Sequence, residues 1–208
     1  MSEKIMEIEN LTHRKGNLTV ITGPMFSEKS NELISSLKKI ELYQHKKIAA
    51  IKPNIENRFS EDEIVSRTGL KMHCISFSKE ESTKNIIDTI PSDCDTIGID
   101  EIQFFGDFMY NAILCWLEKG KDVFVSGLDL DLLGNPFKIT SSLLALSDRT
   151  IKKHAYCSKC GQEAKYSQLI SDGKEVVEID SVIKVGNSEY EPRCKNCFVM
   201  KRESSSCF

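Results

Sequence analysis

Residues Leu18–Ser30 read LTVITGPMFSEKS. The first five are apolar and rich in β-branched side chains, the composition of a strand buried on both faces. Gly23 ends that run. After Ser30 the period changes: Leu33, Ile34, Leu37 and Ile40 fall at i, i+1, i+4 and i+7, one face of a helix. A strand, a glycine-started turn and a helix in direct succession form the setting of a phosphate loop. Successive backbone N–H groups of such a loop point inward, and the helix N-terminus adds partial positive charge. The loop would comprise Gly23, Pro24, Met25, Phe26, Ser27, Glu28, Lys29 and Ser30. Lys29 is expected to reach the outer phosphates and the Ser30 hydroxyl to hold Mg²⁺. The alternative is an ordinary strand–turn–helix with a chance tripeptide. The pattern is one residue short of GxxxxGK[ST], because Glu28 stands where glycine is expected.

Outward from this stretch, strand-like and helix-like segments alternate. Lys47–Lys52 is the next strand candidate, stopped by Pro53, and residues 54–72 are polar and read as a long loop. Thr96–Ile99 runs into Asp100 and Glu101. Asp107–Glu118 is expected to be a helix with Phe108, Ala112, Ile113, Trp116 and Leu117 on its buried side. Val123–Ser126 is a further strand, ended by Gly127. This alternation predicts an α/β class: a parallel sheet with helices on both faces, a P-loop-NTPase-like domain over residues 1–150. A buried strand ending in two carboxylates suits phosphoryl transfer, where one attends Mg²⁺ and the other orients or deprotonates a nucleophile. Acidic residues are common at strand ends. The pair gains weight from the phosphate loop, because parallel strands present their carboxyl ends at one edge.

The chain has 208 residues, 40% hydrophobic and 28% charged, which excludes wholesale disorder and low complexity. Net charge is −3, so no global basic field favours nucleic acid. No apolar run is long enough to span a membrane, and residues 1–17 lack the apolar core of a secretory signal. A cytoplasmic protein is expected, and in a reducing compartment its 8 cysteines need a role other than disulfides. Cys157, Cys160, Cys194 and Cys197 form two CxxC pairs, separated by residues 161–193. Two such knuckles complete a tetrahedral, closed and therefore structural Zn²⁺ site. Residues 151–200 are expected to form a small β-rich zinc-binding domain, and 201–208 a flexible tail. A nucleic-acid-binding ribbon is the alternative, but aromatic side chains for base stacking are sparse there. Cys74, Cys94 and Cys115 are expected to be buried free thiols.

With these signals in this order, the chain resembles the small, zinc-containing thymidine kinases of animal cytosol and many bacteria. The resemblance runs from about Gly16 to Phe198. It is carried by GPMFS-x-KS, by DE-x-QFF (Asp100 to Phe105), by GLD-x-D-x-x-G-x-PF (Gly127 to Phe137), by the CxxC followed by Ala164, Tyr166 and Ser167, and by VG…Y-x-x-x-C-x-x-C (Val185 to Cys197). It implies transfer of a phosphoryl group from ATP to the 5′-hydroxyl of thymidine or deoxyuridine. Glu101 is then the general base, Asp100 and Ser30 serve Mg²⁺, Lys29 serves the phosphates, and Arg58 offsets charge on the transferring group. Gln103 joins the nucleotide-binding set. Met25, Phe104, Leu128 and Phe137 line the nucleoside pocket, and Ser167 stands at the thymine edge. Val185 and Tyr190 belong to a loop that hangs from the zinc site and closes over the base. The resemblance also implies a homotetramer, dTTP as a feedback inhibitor, and no membrane or nucleic-acid partner. Glu28 departs from the pattern. A carboxylate about 5 Å from a triphosphate, at an effective dielectric of ~20, is repelled by roughly 3 kcal/mol. That is roughly a hundredfold in affinity, which leaves a catalytically weakened nucleotide-binding protein as the second reading. Leu133 and Leu169 stand where the family carries a basic or polar residue and an arginine, changes that bear on phosphate handling rather than on fold, with neutral drift at surface positions as the alternative.

Overall fold

The structure, a computed structural model, describes residues 15–54, 62–177 and 189–200. Strand β1 is Leu18–Thr22 and helix α1 is Lys29–Gln44. Strands β2 (Ile48–Pro53), β3 (Glu63–Val65), β4 (Lys71–His73) and β5 (Ile75–Phe77) follow, then helix α2 (Thr83–Thr89) and strand β6 (Thr96–Ile99). A 3₁₀ turn at Ile102–Phe104 leads to helix α3 (Asp107–Glu118), strand β7 (Asp122–Gly127), helix α4 (Lys138–Leu146) and strand β8 (Arg149–Lys152). The expected strands at the start, in Thr96–Ile99 and around Val123–Ser126 are present, and α3 has the expected bounds.

Six strands form one sheet in the order β5-β2-β6-β7-β1-β8, with every neighbouring pair parallel. Alternating strand side chains build two cores, one per face. Val20, Ile51, Ile97, Ile99, Val123 and Val125 pack with α2, α3 and α4 residues such as Ile86, Trp116 and Leu143. On the other face, Ile21 and Ala50 pack with Leu33, Ile34 and Leu37 of α1. The α/β class with helices on both faces is therefore observed. On α3, Met109 is fully buried and Phe108 only partly, so the buried stripe is rotated slightly from the one expected. Ile40 of α1 is likewise only half-buried. Cys74 and Cys94 are buried thiols, whereas Cys115 is partly exposed.

The stretch read as a long loop contains a hairpin instead: β3 and β4 pair antiparallel, with Ile64 opposite Met72. Ile64 is buried against the α1 core. Three-residue strands carry too few alternations to be read from composition. The last strand, β8, crosses the division expected at residue 150: Ile151 packs on the α1 core, and the Lys153 N–H donates to Thr22 O.

Beyond the sheet lie short strands β9 (Ala155–Tyr156), β10 (Glu163–Ala164), β11 (Tyr166–Ser171), β12 (Lys174–Glu175) and β13 (Glu189–Arg193). β9 pairs with β10, and β11 pairs with both β12 and β13, all antiparallel. Among the described residues no helix is long and apolar enough to cross a membrane.

Candidate functional site

Because the sheet is parallel, β1, β6, β7 and β8 all end at one edge, and the expected chemistry lies there. β1 opens into the loop at Gly23, whose φ is +148°. A Cβ at Gly23 would stand 2.2 Å from Lys153 O, so only glycine fits beside β8. Phe26 and Glu28 both adopt left-handed backbone, at φ 67° and 59°. Alternation of this kind turns neighbouring N–H groups to a common side, an anion-binding concavity. Glu28 is also the N-cap of α1, and its side chain makes no capping bond, so the first-turn N–H groups have no side-chain acceptor there. Its carboxylate is exposed. The left-handed conformation explains why glycine is the usual occupant of this position.

Lys29 is buried and folds back along the loop. Its Nζ donates to Pro24 O at 2.7 Å and lies 3.5 Å from Ser27 Oγ, which itself donates to Pro24 O at 2.7 Å. Burial lowers the Lys29 pKa, opposed by attraction to Glu101, Asp100 and Asp129.

Asp100 follows β6 and is buried. β7 separates β6 from β1, and its Ser126 hydroxyl donates to Asp100 Oδ1 across that gap. The Ser30 hydroxyl also favours the charged form of the Asp100 carboxylate, so the loop and the acidic strand end lie within each other's reach. Burial, with repulsion from Glu101, pushes the Asp100 pKa up to about 6, against both hydroxyls. A raised carboxylate pKa means that ionising Asp100 costs stability. The cost is absent below the ordinary carboxylate range and grows as pH rises towards 6. A nearby cation would remove that cost, and a carboxylate beside a hydroxyl is the hard oxygen set that Mg²⁺ takes.

Glu101 is half-buried, with left-handed backbone at φ 52°, and caps the 3₁₀ turn. Gln103, expected among the nucleotide-binding residues, is engaged within the protein. Its Nε2 donates to Glu101 Oε2, and its Oε1 accepts from the Leu128 N–H at 2.9 Å. It thus ties the carboxylate to the segment after β7. Gly127 makes room for it, since a Cβ there would lie 2.5 Å from Gln103 Oε1.

Of the residues expected around a nucleoside, Met25 and Ser167 are in direct contact: the Met25 N–H donates to Ser167 Oγ at 3.0 Å. Ser167 is buried on β11. Leu128, Phe104 and Phe137 are half-buried. They lie after β7, at the end of the 3₁₀ turn and at the head of α4. Tyr190 stands on strand β13, opposite Leu169 of β11, rather than in a loop. Leu169 is buried, so it is not a surface position, and Leu133 is half-buried. Arg58 and Val185 lie outside the described residues.

The sulfur atoms of Cys157, Cys160, Cys194 and Cys197 all lie within 4.8 Å of one another. Cys160 Sγ is 3.6 Å from both Cys194 Sγ and Cys197 Sγ. Four sulfurs at 2.3 Å from a tetrahedral Zn²⁺ would be spaced about 3.8 Å apart, so the cluster fits that ion. Each knuckle is closed by its own backbone, Gly161 N–H to Cys157 O at 2.8 Å and Cys197 N–H to Cys194 O at 3.1 Å. Burial raises the Cys157 pKa, but backbone N–H groups of Cys194, Lys159 and Cys160 prevail and draw it down to about 6.

Two residues at this edge, Asp129 and Arg67, have no place in the sequence-based set. Asp129 is buried, pairs with Lys152 at 3.0 Å through Oδ2, and has no hydrogen-bond partner for Oδ1 among the described residues. Arg67 arrives on the β3–β4 hairpin, with its guanidinium 3.9 Å above the Phe26 ring. A GLD-x-D motif made Asp129 findable. Arg67 was hidden in the polar stretch read as a loop.

Comparison with known protein families matches residues 16–198 to the thymidine kinase family. The match covers most of the chain, and the chain belongs to that family.

Proposed function

From membership of the thymidine kinase family as premise, we propose that the chain transfers the terminal phosphoryl group of ATP to the 5′-hydroxyl of thymidine or deoxyuridine. The observation that supports this reading is the approach of the loop to the acidic strand end, with the Ser30 hydroxyl favouring the charged Asp100 carboxylate and Lys29 within the field of Asp100 and Glu101. The loop N–H groups and Lys29 would hold the phosphates. Ser30 and Asp100 would hold Mg²⁺, which supplies charge neutralisation for the phosphate oxygens. Glu101 would accept the hydroxyl proton. Gln103 keeps that carboxylate in place by binding it from one end and the Leu128 backbone from the other. Arg58 would lie near the reacting hydroxyl. Met25, Phe104, Leu128 and Phe137 would wall the nucleoside, with Ser167, Val185 and Tyr190 at the base. The four cysteines would hold a structural zinc. The family resemblance also supports a cytoplasmic homotetramer with dTTP as feedback inhibitor.

Glu101→Gln tests the assignment of the base. The amide keeps the shape and the Gln103 contact but cannot take a proton. Turnover with ATP, Mg²⁺ and thymidine should fall by about 10²–10⁴-fold, with nucleoside affinity nearly unchanged. A loss of only a few-fold would remove Glu101 from that role.

A further inference from the structure

The β3–β4 hairpin is locked against the start of α1. Asn31, two residues after Lys29, accepts through Oδ1 from the hydroxyls of both Ser66 and Thr68. The turn between the strands is closed by the Ser66 N–H to Leu70 O at 2.8 Å and the Leu70 N–H to Ser66 Oγ at 3.0 Å. Ile64 anchors its other face in the α1 core. The residue held at the centre of this arrangement is Arg67. Its guanidinium carbon stands over the Phe26 ring, 3.9 Å from the centroid, and Phe26 is a residue of the phosphate loop itself. Stacking uses the face of the guanidinium and leaves its in-plane N–H fork free to donate. Among the described residues that fork has no hydrogen bond or ion pair. The side chain is exposed at the mouth of the loop, so it is reachable from solvent. Its field also reaches Lys29, where it adds to the dominant effect of burial in lowering the lysine's proton affinity.

We propose that Arg67 is a phosphate-binding residue, delivered to the rim of the loop by the β3–β4 hairpin and stacked on Phe26, that donates to the phosphate chain of the nucleotide. Two features single it out. A planar fork matches phosphate oxygens in a way that a lysine does not. The same loop carries Glu28 in place of glycine, and Arg67 supplies at the rim a positive charge that opposes this carboxylate. Phe26 thereby gains a role: an exposed aromatic ring in a phosphate loop serves as the platform that fixes the guanidinium. The proposal rests on the reading of Gly23–Ser30 as a phosphate loop.

The test is equilibrium binding of Mg–ATP and, separately, of inorganic tripolyphosphate to the full chain and to Arg67→Gln and Arg67→Lys, with thymidine affinity and melting temperature measured alongside. Arg67→Gln should weaken both polyphosphate ligands about tenfold, the loss shrinking in high salt, with thymidine affinity and melting temperature unchanged. Arg67→Lys should recover part of the loss. Polyphosphate affinity equal to that of the parent would overturn the proposal while leaving the phosphate loop intact. A joint fall in polyphosphate affinity, thymidine affinity and melting temperature would also overturn it, because it would make Arg67 a packing residue of the hairpin. If the parent chain itself binds neither ATP nor tripolyphosphate, the phosphate-loop reading fails and this proposal with it.

Discussion

Glu28 departs from its motif in sequence and carries backbone strain in the structure. Its backbone is left-handed, a conformation that costs any L-residue other than glycine. Its carboxylate, however, is exposed, so water and salt screen it from the loop. The roughly hundredfold penalty expected from unscreened proximity therefore shrinks. Glu28→Gly is expected to tighten ATP binding only a few-fold. It should also raise the melting temperature by up to about 3 °C, because relief of the left-handed strain is offset in part by the added freedom of the unfolded chain. Titration of nucleotide against both proteins, with a thermal melt of each, checks the two effects separately. A hundredfold gain in affinity would mean that the carboxylate turns into the cradle when nucleotide binds.

At the scale of elements, the position of the loop depends on how closely α1 lies on the sheet. The contact is set by Gly98, in the middle of β6. A Cβ there would come within 2.3 Å of Leu37 Cδ1, and Leu37 is fully buried. The glycine in TIGI is thus the seat of a leucine from the helix that carries Lys29 and Ser30. Gly98→Ala should destabilise by about 1–3 kcal/mol through overpacking, and Leu37→Ala by about 2–5 kcal/mol through the cavity left behind. In the double variant the added methyl occupies part of that cavity, so the cost should fall below the sum by about 1 kcal/mol. Urea unfolding of the three proteins measures this coupling, and strict additivity would show that helix and strand do not press on each other at Gly98.

For the whole molecule, one route from the cysteine cluster to the loop after β1 runs through the small antiparallel sheet. Cys157 and Cys194 flank β9 and β13, β13 pairs with β11, and Ser167 of β11 accepts the Met25 N–H. On the function proposed above, this route would make the cluster a support for the nucleoside side of the site. Purified protein should carry about one zinc per chain. Chelation should leave the parallel sheet folded and ATP affinity within a few-fold of the parent. Thymidine affinity should fall roughly five- to tenfold, the worth of about one hydrogen bond. Circular dichroism and separate ligand titrations distinguish the two sides. Equal losses for both ligands would show that the metal holds the whole edge together.

The residues themselves determined whatever depends on local order. Leu18–Thr22 and Thr96–Ile99 are strands because β-branched runs buried on both faces have no better conformation, and the helical stripe of α1 follows from spacing alone. The loop, the acidic strand end and the paired CxxC knuckles were legible because each is contiguous or nearly so. What the tertiary structure decided is who meets whom. Ser126 reaches Asp100 because β7 lies between β6 and β1, an order that no propensity encodes. Gln103, read as a nucleotide-binding residue, is held between Glu101 and Leu128, because Gly127 lets its amide approach Leu128. Met25 and Ser167 touch across 142 positions of sequence. Arg67 stayed hidden because strands of three residues carry almost no periodic signal, and the hydroxyl bonds to Asn31 that hold their turn form only once the hairpin has packed on α1.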